Sequence, residues 1–547
     1  MSSFFRSFAE KPIFLLLAVN ILIGLFTFRN YGYSWDEPLF YDYGDTLGYA
    51  YSPREWFSGN FDLEHSFGSS GDDHKTRGPA YLLLGRGPVY VLEALGLDKA
   101  SAWHLINFLF FQVGVYFLYR LASRWMRPSA ALAASALFSW QPLLWGHGFI
   151  NPKDPPFLVF FLASVCLGFE MVDHFADKTA NDRPTFSRIF FPALVLGITT
   201  SIRVLGPLAG LLVVMYAVWR FGKRFFGYIP QLALYGIIAI LAMFATWPFL
   251  WENPLTNFID VFRLMSDNPT TLSVLFGGEV FRAGELPRRY MPFMLATTLT
   301  EPVWLLFLFG LFIGYFKLFK QNRNDSSRIE DPANSWKSLR SSIGRVETEN
   351  KIVSLSLILL WFGILLAYVL LRRPAMYDGL RHFLFILPPV FLFTGFAFEF
   401  LIDHVAPFWL YAGLIFLLLP GILGIAQLHP YEYTYYNLFV GGTSGVFREY
   451  ETDYWLTCYK EAVEKLEQTS DTPITLYVHR EAYIADYYAS EKLTVHDLRG
   501  ALNQVMPGDY VLVNTRTNED RRIFKDELPV VQVGRGEAMF CQIKQIS

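Results

Sequence analysis

Charge is scarce in this chain: Asp, Glu, Lys and Arg make up only 17% of its 547 residues, against about 25% in soluble domains. A water-soluble globular class is excluded by that scarcity. The net charge of −3 leaves no basic excess for nucleic acid. Cysteine is almost missing, with three in all, which excludes a disulfide-stapled scaffold. Cys166 falls in an apolar run, whereas Cys458 and Cys541 share a polar tail and could pair in an oxidising compartment, a point that spacing alone does not decide. Paired-Cys zinc motifs, a P-loop, a Gly-rich dinucleotide fingerprint and internal repeats are lacking too, so nucleotide and structural-metal classes lose support.

What is present is apolar: 53% hydrophobic and 18% aromatic residues. A membrane span needs about 20 mostly apolar residues. Eleven stretches qualify, near 11–29, 102–123, 129–147, 156–173, 189–202, 204–219, 228–248, 293–316, 352–371, 383–402 and 406–427. The fifth and sixth are short. Arg6 and Lys11 precede the first run, Ile13 to Phe28, but no small-residue cleavage site follows, so it reads as an uncleaved span rather than a signal peptide. The fold class is therefore mainly α: a polytopic transmembrane bundle of about 11 spans.

The distribution of Lys and Arg orients the bundle. Arg120, Arg124 and Arg127, then Arg220, Lys223 and Arg224, then the loop from Lys317 to Lys351, all read as cytoplasmic. The N-terminus is then cytoplasmic and the C-terminus extracytoplasmic, in the cell (inner) membrane. Two modules result: a transmembrane module over 1–430, with outer loops 30–101, 148–155, 249–292 and 372–382, and an extracytoplasmic domain over 431–547. Glu461–Gln468 and Arg480–Ala489 predict helices in that tail, and Ile474–His479 and Tyr510–Asn514 predict strands, making it a small α/β unit.

The outer loops hold the chemistry. Tyr33-Ser34-Trp35-Asp36-Glu37-Pro38 sets two acids where the first span meets water. Ser34 and Glu37 match a capping box with Pro38 just inside a helix from about Asp36 to Ala50, so Glu37 is either a cap or a catalytic acid. The box makes no use of Asp36, which is the better candidate base. His74-Lys75-Thr76-Arg77 brings cations before a second amphipathic stretch, Tyr81 to Leu95, where Lys75 and Arg77 would meet phosphate. Asn151-Pro152-Lys153-Asp154-Pro155-Pro156 is stiffened by proline and fixes Lys153 and Asp154. Arg203 lies at a turn between short spans, where an arginine must pair, snorkel or line a wet cavity, and the cavity is expected here. Arg381 and His382 stand at the mouth of the tenth span, and Arg binds phosphate in a fork.

One carboxylate base with several cations on one side of a bilayer suits sugar transfer from a polyprenyl phosphate. The chain resembles the GT-C superfamily of polyprenyl-phosphate-dependent glycosyltransferases, in particular bacterial relatives of protein O-mannosyltransferases and of the lipid A aminoarabinose transferase. The resemblance is carried by YGYSWDEP, INPKDPPF, SIRVLGP, ELPRRYMP, YDGLRHFLFILPP and HPYEYTYYN. It implies Asp36 as base beside Glu37, Asp154 as a second acid, and Lys75, Arg77, Arg203 and Arg381 around the donor phosphate, to which the reading of the loops adds Lys153 and His382. It implies mannose or a related hexose as the sugar, passed to a protein, lipid or glycan. Aminoarabinose-type transfer to lipid or cell-wall glycan is the alternative, ahead of a non-catalytic transporter or flippase. No obligatory cofactor is expected; Asp36, Glu37 and Asp154 offer oxygen ligands for Mg²⁺ or Mn²⁺. A β-trefoil insertion of the eukaryotic O-mannosyltransferases is not found, and the tail differs from theirs.

Overall fold

A computed structural model describes residues 12–177, 186–267, 270–329, 335–469 and 472–547. Arg6 and Lys11 lie outside the described residues. Every one of the eleven apolar stretches is helical. Among the described residues, seven helical segments are long and apolar enough to cross a membrane, one of them the 39-residue stretch Pro207–Ala245, which covers most of the sixth and seventh predicted spans. Pro128–Ser139 and Phe186–Ile202 are shorter apolar helices. The chain is a multi-pass membrane protein.

Three predicted spans are broken where proline opens a new helix. The third splits into Pro128–Ser139 and Pro142–Ile150, the eighth into Tyr290–Thr297 and Pro302–Ile329, and the tenth into a 3₁₀ turn, Arg381–Ile386, followed by Pro388–His404. Proline has no N–H to give to the preceding turn, yet it suits the first helical position, so each break restarts cleanly. The stretch from Lys317 to Lys351 differs from the loop that its polarity predicts: the helices Pro302–Ile329 and Ser335–Arg372 run into it from both sides.

Alternating crossings gather helix ends into two faces. One face carries the ends of Lys99–Ala122, Asp154–Asp177, Pro207–Phe221 and Pro388–His404, and there arginines meet acids. Arg120 pairs with Glu170, Arg124 with Asp173, Arg220 with Asp173 and Asp177, and Arg127 with Glu399 and Asp403. The opposite face carries the four outer loops and the tail.

The tail is α/β, as expected, with more strands than the sequence suggests. Numbered along the chain, β1 (Ser273–Phe276) and β2 (Glu279–Arg282) form a hairpin in the fourth loop. The tail sheet uses β3 (Ile474–Val478), β4 (Leu493–Asp497), β5 (Tyr510–Asn514), β6 (Pro529–Arg535) and β7 (Ala538–Gln545) in the order β4-β3-β5-β7-β6. β3 pairs in parallel with β4 and β5, and β7 runs antiparallel between β5 and β6. The helices Cys458–Glu467 and Ala482–Tyr488 accompany it. Cys458 and Cys541 are joined as a disulfide, with Cα atoms 6.2 Å apart.

Candidate active site

The tail grips the first outer loop along its backbone. Tyr33 N–H donates to the Tyr488 hydroxyl at 2.9 Å and Trp35 N–H to the Trp455 carbonyl at 3.2 Å, while the Tyr483 hydroxyl donates to the Trp35 carbonyl at 2.6 Å. Immediately after this clamp the chain turns into the helix Glu37–Thr46, followed by a 3₁₀ turn to Tyr49, close to the predicted segment.

The two acids at this turn part company. Glu37 is fully buried. Its carboxylate accepts from Ser34 N–H at 2.7 Å and from the Tyr41 hydroxyl at 2.6 Å, with His104 Nε2 3.1 Å away. This is the reciprocal half of the capping box; the Ser34 hydroxyl is engaged elsewhere, donating to the Ile150 carbonyl at 3.0 Å. Asp36 keeps 24% of its side chain exposed and accepts from Arg381 Nη1 at 2.7 Å. Burial raises the pKa of Asp36, but the positive fields of Arg381 and Arg77 outweigh it and hold the carboxyl below its ordinary range. Asp36 is therefore ionised at neutral pH.

Phe40 lies one helical turn after Asp36 on the same face, and cations crowd it. Lys153 Nζ is 5.5 Å and Arg77 Cζ 5.9 Å from its ring centre, and His74 meets it edge-on at 4.7 Å. Arg77 reaches this place because its loop lies directly on the 199–203 turn: Gly78 touches Ser201 so closely that a Cβ would overlap the Ser201 carbonyl. Arg203, 15% exposed, is ion-paired there with the nearly buried Asp154. Asn151 completes that corner, donating to Asp154 Oδ2 at 2.9 Å and accepting from the Lys153 and Asp154 N–H groups at 3.0 and 2.9 Å. The proline-stiffened second loop is thus also tied by an Asx turn.

The predicted cations differ in their commitments. Lys75 pairs with Glu64 at 3.1 Å and Arg77 with Asp73 at 2.8 Å, acids of their own loop. Lys153 makes no ion pair with a carboxylate among the described residues. Burial first, then the fields of Arg77 and Arg203, push the Lys153 ammonium below its usual range; an incoming anion would be welcomed there. His382 packs edge-on against Tyr377 at 4.7 Å. Burial and the neighbouring Arg381 and Arg203 drive its pKa down, and burial with Arg77 lowers that of His74 to about 4, so neither imidazole is charged at neutral pH.

Asp36, Glu37 and Asp154 do not form a metal-holding group. Glu37 is spent on Ser34 and Tyr41, Asp154 on Arg203 and Asn151, and no cluster of three or more His, Cys, Asp or Glu suited to a metal occurs among the described residues.

Several site residues were missed from sequence. Asp378 and Arg516 are fully buried, and Arg516 Nη2 lies 2.7 Å from Asp378 Oδ1. Asp378 Oδ2 is 3.1 Å from Arg381 Nε and accepts from Trp455 Nε1 at 3.2 Å. Tyr454 reaches the second loop, its hydroxyl 2.9 Å from His147 Nε2. The dense Glu451-Thr452-Asp453-Tyr454-Trp455 run was the available signal. A separate apolar cavity of about 840 Å³, lined by Pro302, Leu305, Leu419, Leu423, Tyr436 and Phe439 among others, contains none of Asp36, Lys153, Arg203 or Arg381.

No family model and no curated protein matches the chain. Among solved structures, the chain is similar to ArnT from Cupriavidus metallidurans bound to undecaprenyl phosphate, at 12% identity and TM-score 0.42 over 97% of each chain. It is also similar to the oligosaccharyltransferase AglB from Archaeoglobus fulgidus in complex with an inhibitory peptide and a dolichol-phosphate, at 11% identity and TM-score 0.44 over 94% of this chain and 70% of that one. The apo form of the Archaeoglobus fulgidus enzyme aligns at TM-score 0.46 and 11% identity, over 92% and 69% of the two chains.

Proposed function

We propose that this protein is a membrane glycosyltransferase of GT-C type, which moves a sugar from a polyprenyl-phosphate donor to an acceptor at the outer membrane face, with Asp36 as base. The observation that carries this reading is the setting of Asp36: a partly exposed, ionised carboxylate held by Arg381, near a Lys153 amine that pairs with no acid among the described residues. Its location where the first span ends suits a substrate whose tail stays in hydrocarbon.

In the proposed reaction the acceptor O–H oxygen attacks the anomeric carbon as the sugar–phosphate C–O bond breaks. The bonding pair leaves with the polyprenyl phosphate, and the acceptor proton goes to Asp36. The leaving group, with a second pKa of about 6, departs without a proton if cations meet its charge. Lys153 and Arg381 are nearest to that task, with Arg77 and Arg203 adding positive field from their own ion pairs. Direct displacement inverts the sugar carbon. Arg381 spans both halves of the chemistry: a phosphate that draws it away leaves Asp36 more basic at the moment when a base is needed.

Asp154 serves in this scheme by orienting Arg203, and Glu37 by shaping the turn that presents Asp36. The sequence resemblance supports mannose or a related hexose as the sugar. The orientation that fits places the N-terminus in the cytoplasm and the tail outside. Purified protein in nanodiscs, given an undecaprenyl-phosphate-linked hexose, should release undecaprenyl phosphate when acceptor is present and should do so only with Asp36 intact. Mass spectrometry of lipids, glycans and secreted proteins from cells with and without the chain names the acceptor; no difference in any fraction overturns the reading.

A further inference from the structure

An unbroken line of ionisable side chains runs from the tail domain to Asp36. Glu451 Oε1 lies 3.3 Å from Arg516 Nη2, Arg516 is 2.7 Å from Asp378, Asp378 is 3.1 Å from Arg381, and Arg381 is 2.7 Å from Asp36. Arg516 and Asp378 are fully buried, and Glu451 and Arg381 nearly so. Placing a guanidinium and a carboxylate in the interior costs several kcal/mol per ion, which a mere fold-stabilising contact does not require, because apolar side chains of similar size fill such space at least as well. The aromatic surround fixes the angles: Arg516 stands 4.7 Å over the Trp35 ring, and Arg381 5.0 Å over both Tyr377 and Trp455.

We propose that Arg516 of the tail is a positioning residue of the active site: by occupying Asp378, it keeps the Arg381 guanidinium aimed at Asp36. The proposal rests on Asp36 being the functional carboxylate described above. Asp378 is three residues from Arg381 in the same loop and is the only other carboxylate recorded within ion-pair distance of it among the described residues. With Arg516 in place, one Asp378 oxygen is taken, and Arg381 donates to Asp36 while its Nε stays only within ion-pair distance of Asp378. Without Arg516, Asp378 keeps Arg381 as its only cation among the described residues and pulls it towards itself, away from Asp36.

The test reads the Asp36 carboxylate itself and needs no turnover. The infrared carboxylate band of Asp36, isolated by subtracting the spectrum of Asp36→Asn, is titrated in the full-length protein in nanodiscs. Besides Arg381, the groups facing Asp36 are Arg77, His74, Lys153, Arg203 and Tyr483, all unchanged in the variants. Arg516→Met should raise the Asp36 pKa by about one unit. Asp378→Asn should shift it the opposite way, downward, because Arg381 then has Asp36 as its sole carboxylate. Asn is well tolerated at this position, where φ is +56°. Arg516→Lys, which keeps the charge, should restore part of the wild-type value. Shifts of the same sign in Arg516→Met and Asp378→Asn, or no shift in either, overturn the proposal. If Arg516→Met does not fold by its thermal melt, a downward shift in Asp378→Asn supports the proposal and its absence overturns it. Because wild-type sugar transfer is assayed separately, loss of the glycosyltransferase reading would leave these titrations interpretable.

Discussion

Arg381 donates to Asp36 at 2.7 Å while only 6% of its own side chain is exposed, so a nearly buried cation fixes the protonation state of a partly exposed acid. The pair joins the first outer loop to the last, 345 residues apart.

Removing the acid should stop the reaction while preserving the fold. Asp36→Asn should lower transfer by about 10²-fold or more, the usual contribution of a positioned base. Its melting temperature should stay near that of wild type, since the carboxylate faces partial solvent. Transfer assayed beside a thermal melt checks both. Wild-type turnover in this variant would dismiss Asp36 as the base.

The pH profile should lack a histidine-type limb. Asp36 is held below its ordinary carboxylate range by Arg381 and Arg77, so the ionised form persists as pH falls and is lost only below that range. His74, near 4, and His382 stay neutral from pH 6 to 8. Neither histidine should therefore contribute a limb to the rate at saturating donor across that interval. Arg381→Gln should move the acid limb upward, and a profile unchanged in that variant would show that the ion pair does not set the base.

Lys153 offers an amine that no acid pairs with among the described residues, and a bound phosphate would favour its protonated form. Lys153→Met should raise the KM for the donor about tenfold, the loss of one charge-assisted contact, with little change in melting temperature. Lys75→Met should do less, because Glu64 already neutralises its ammonium. Donor titrations of the two variants side by side decide the ranking.

Breaking one partner of a buried pair costs more than removing both. Arg203→Leu leaves Asp154, 4% exposed, without its cation, and should cost about 3–5 kcal/mol of stability. The double variant Arg203→Leu/Asp154→Leu should recover much of that loss. Chemical denaturation of the detergent-solubilised proteins measures the difference.

The tail should weaken with rising pH. Burial, then the nearby Asp378, raise the Glu451 pKa to about 8 despite the opposing field of Arg516, against 4.5 for the free side chain. The folded tail thus holds a proton more tightly than the unfolded chain, and stability present below pH 4.5 is lost as pH rises towards 8. Glu451→Gln should flatten that slope in melts taken at pH 5 and pH 8.

The eleven helical stretches were legible because a bilayer demands long apolar runs, which leave a strong mark on any sequence. Asp36, Lys153 and Arg203 were legible because charge is conspicuous beside such runs. Glu37 was undecided from sequence, since a cap and a catalytic acid look alike until the Ser34 and Tyr41 contacts are seen. Asp378 and Arg516 were hidden for another reason: their meaning depends on a meeting across 138 residues, and no local pattern records it. β7 was missed because a strand buried on both faces loses the alternation that reveals strands at a surface.

The clamp of Tyr483, Tyr488 and Trp455 on the Tyr33–Trp35 backbone sets a schedule for the nascent chain. The residues bearing the acid leave the ribosome first, and those that hold it in place arrive more than 400 positions later, the Tyr33–Tyr488 contact alone closing a gap of 455. Until the last segment has been made and folded, the turn bearing Asp36 has no frame. A copy halted before Tyr483 therefore lacks the clamp, and a premature stop ahead of that residue should yield an inserted but inert protein.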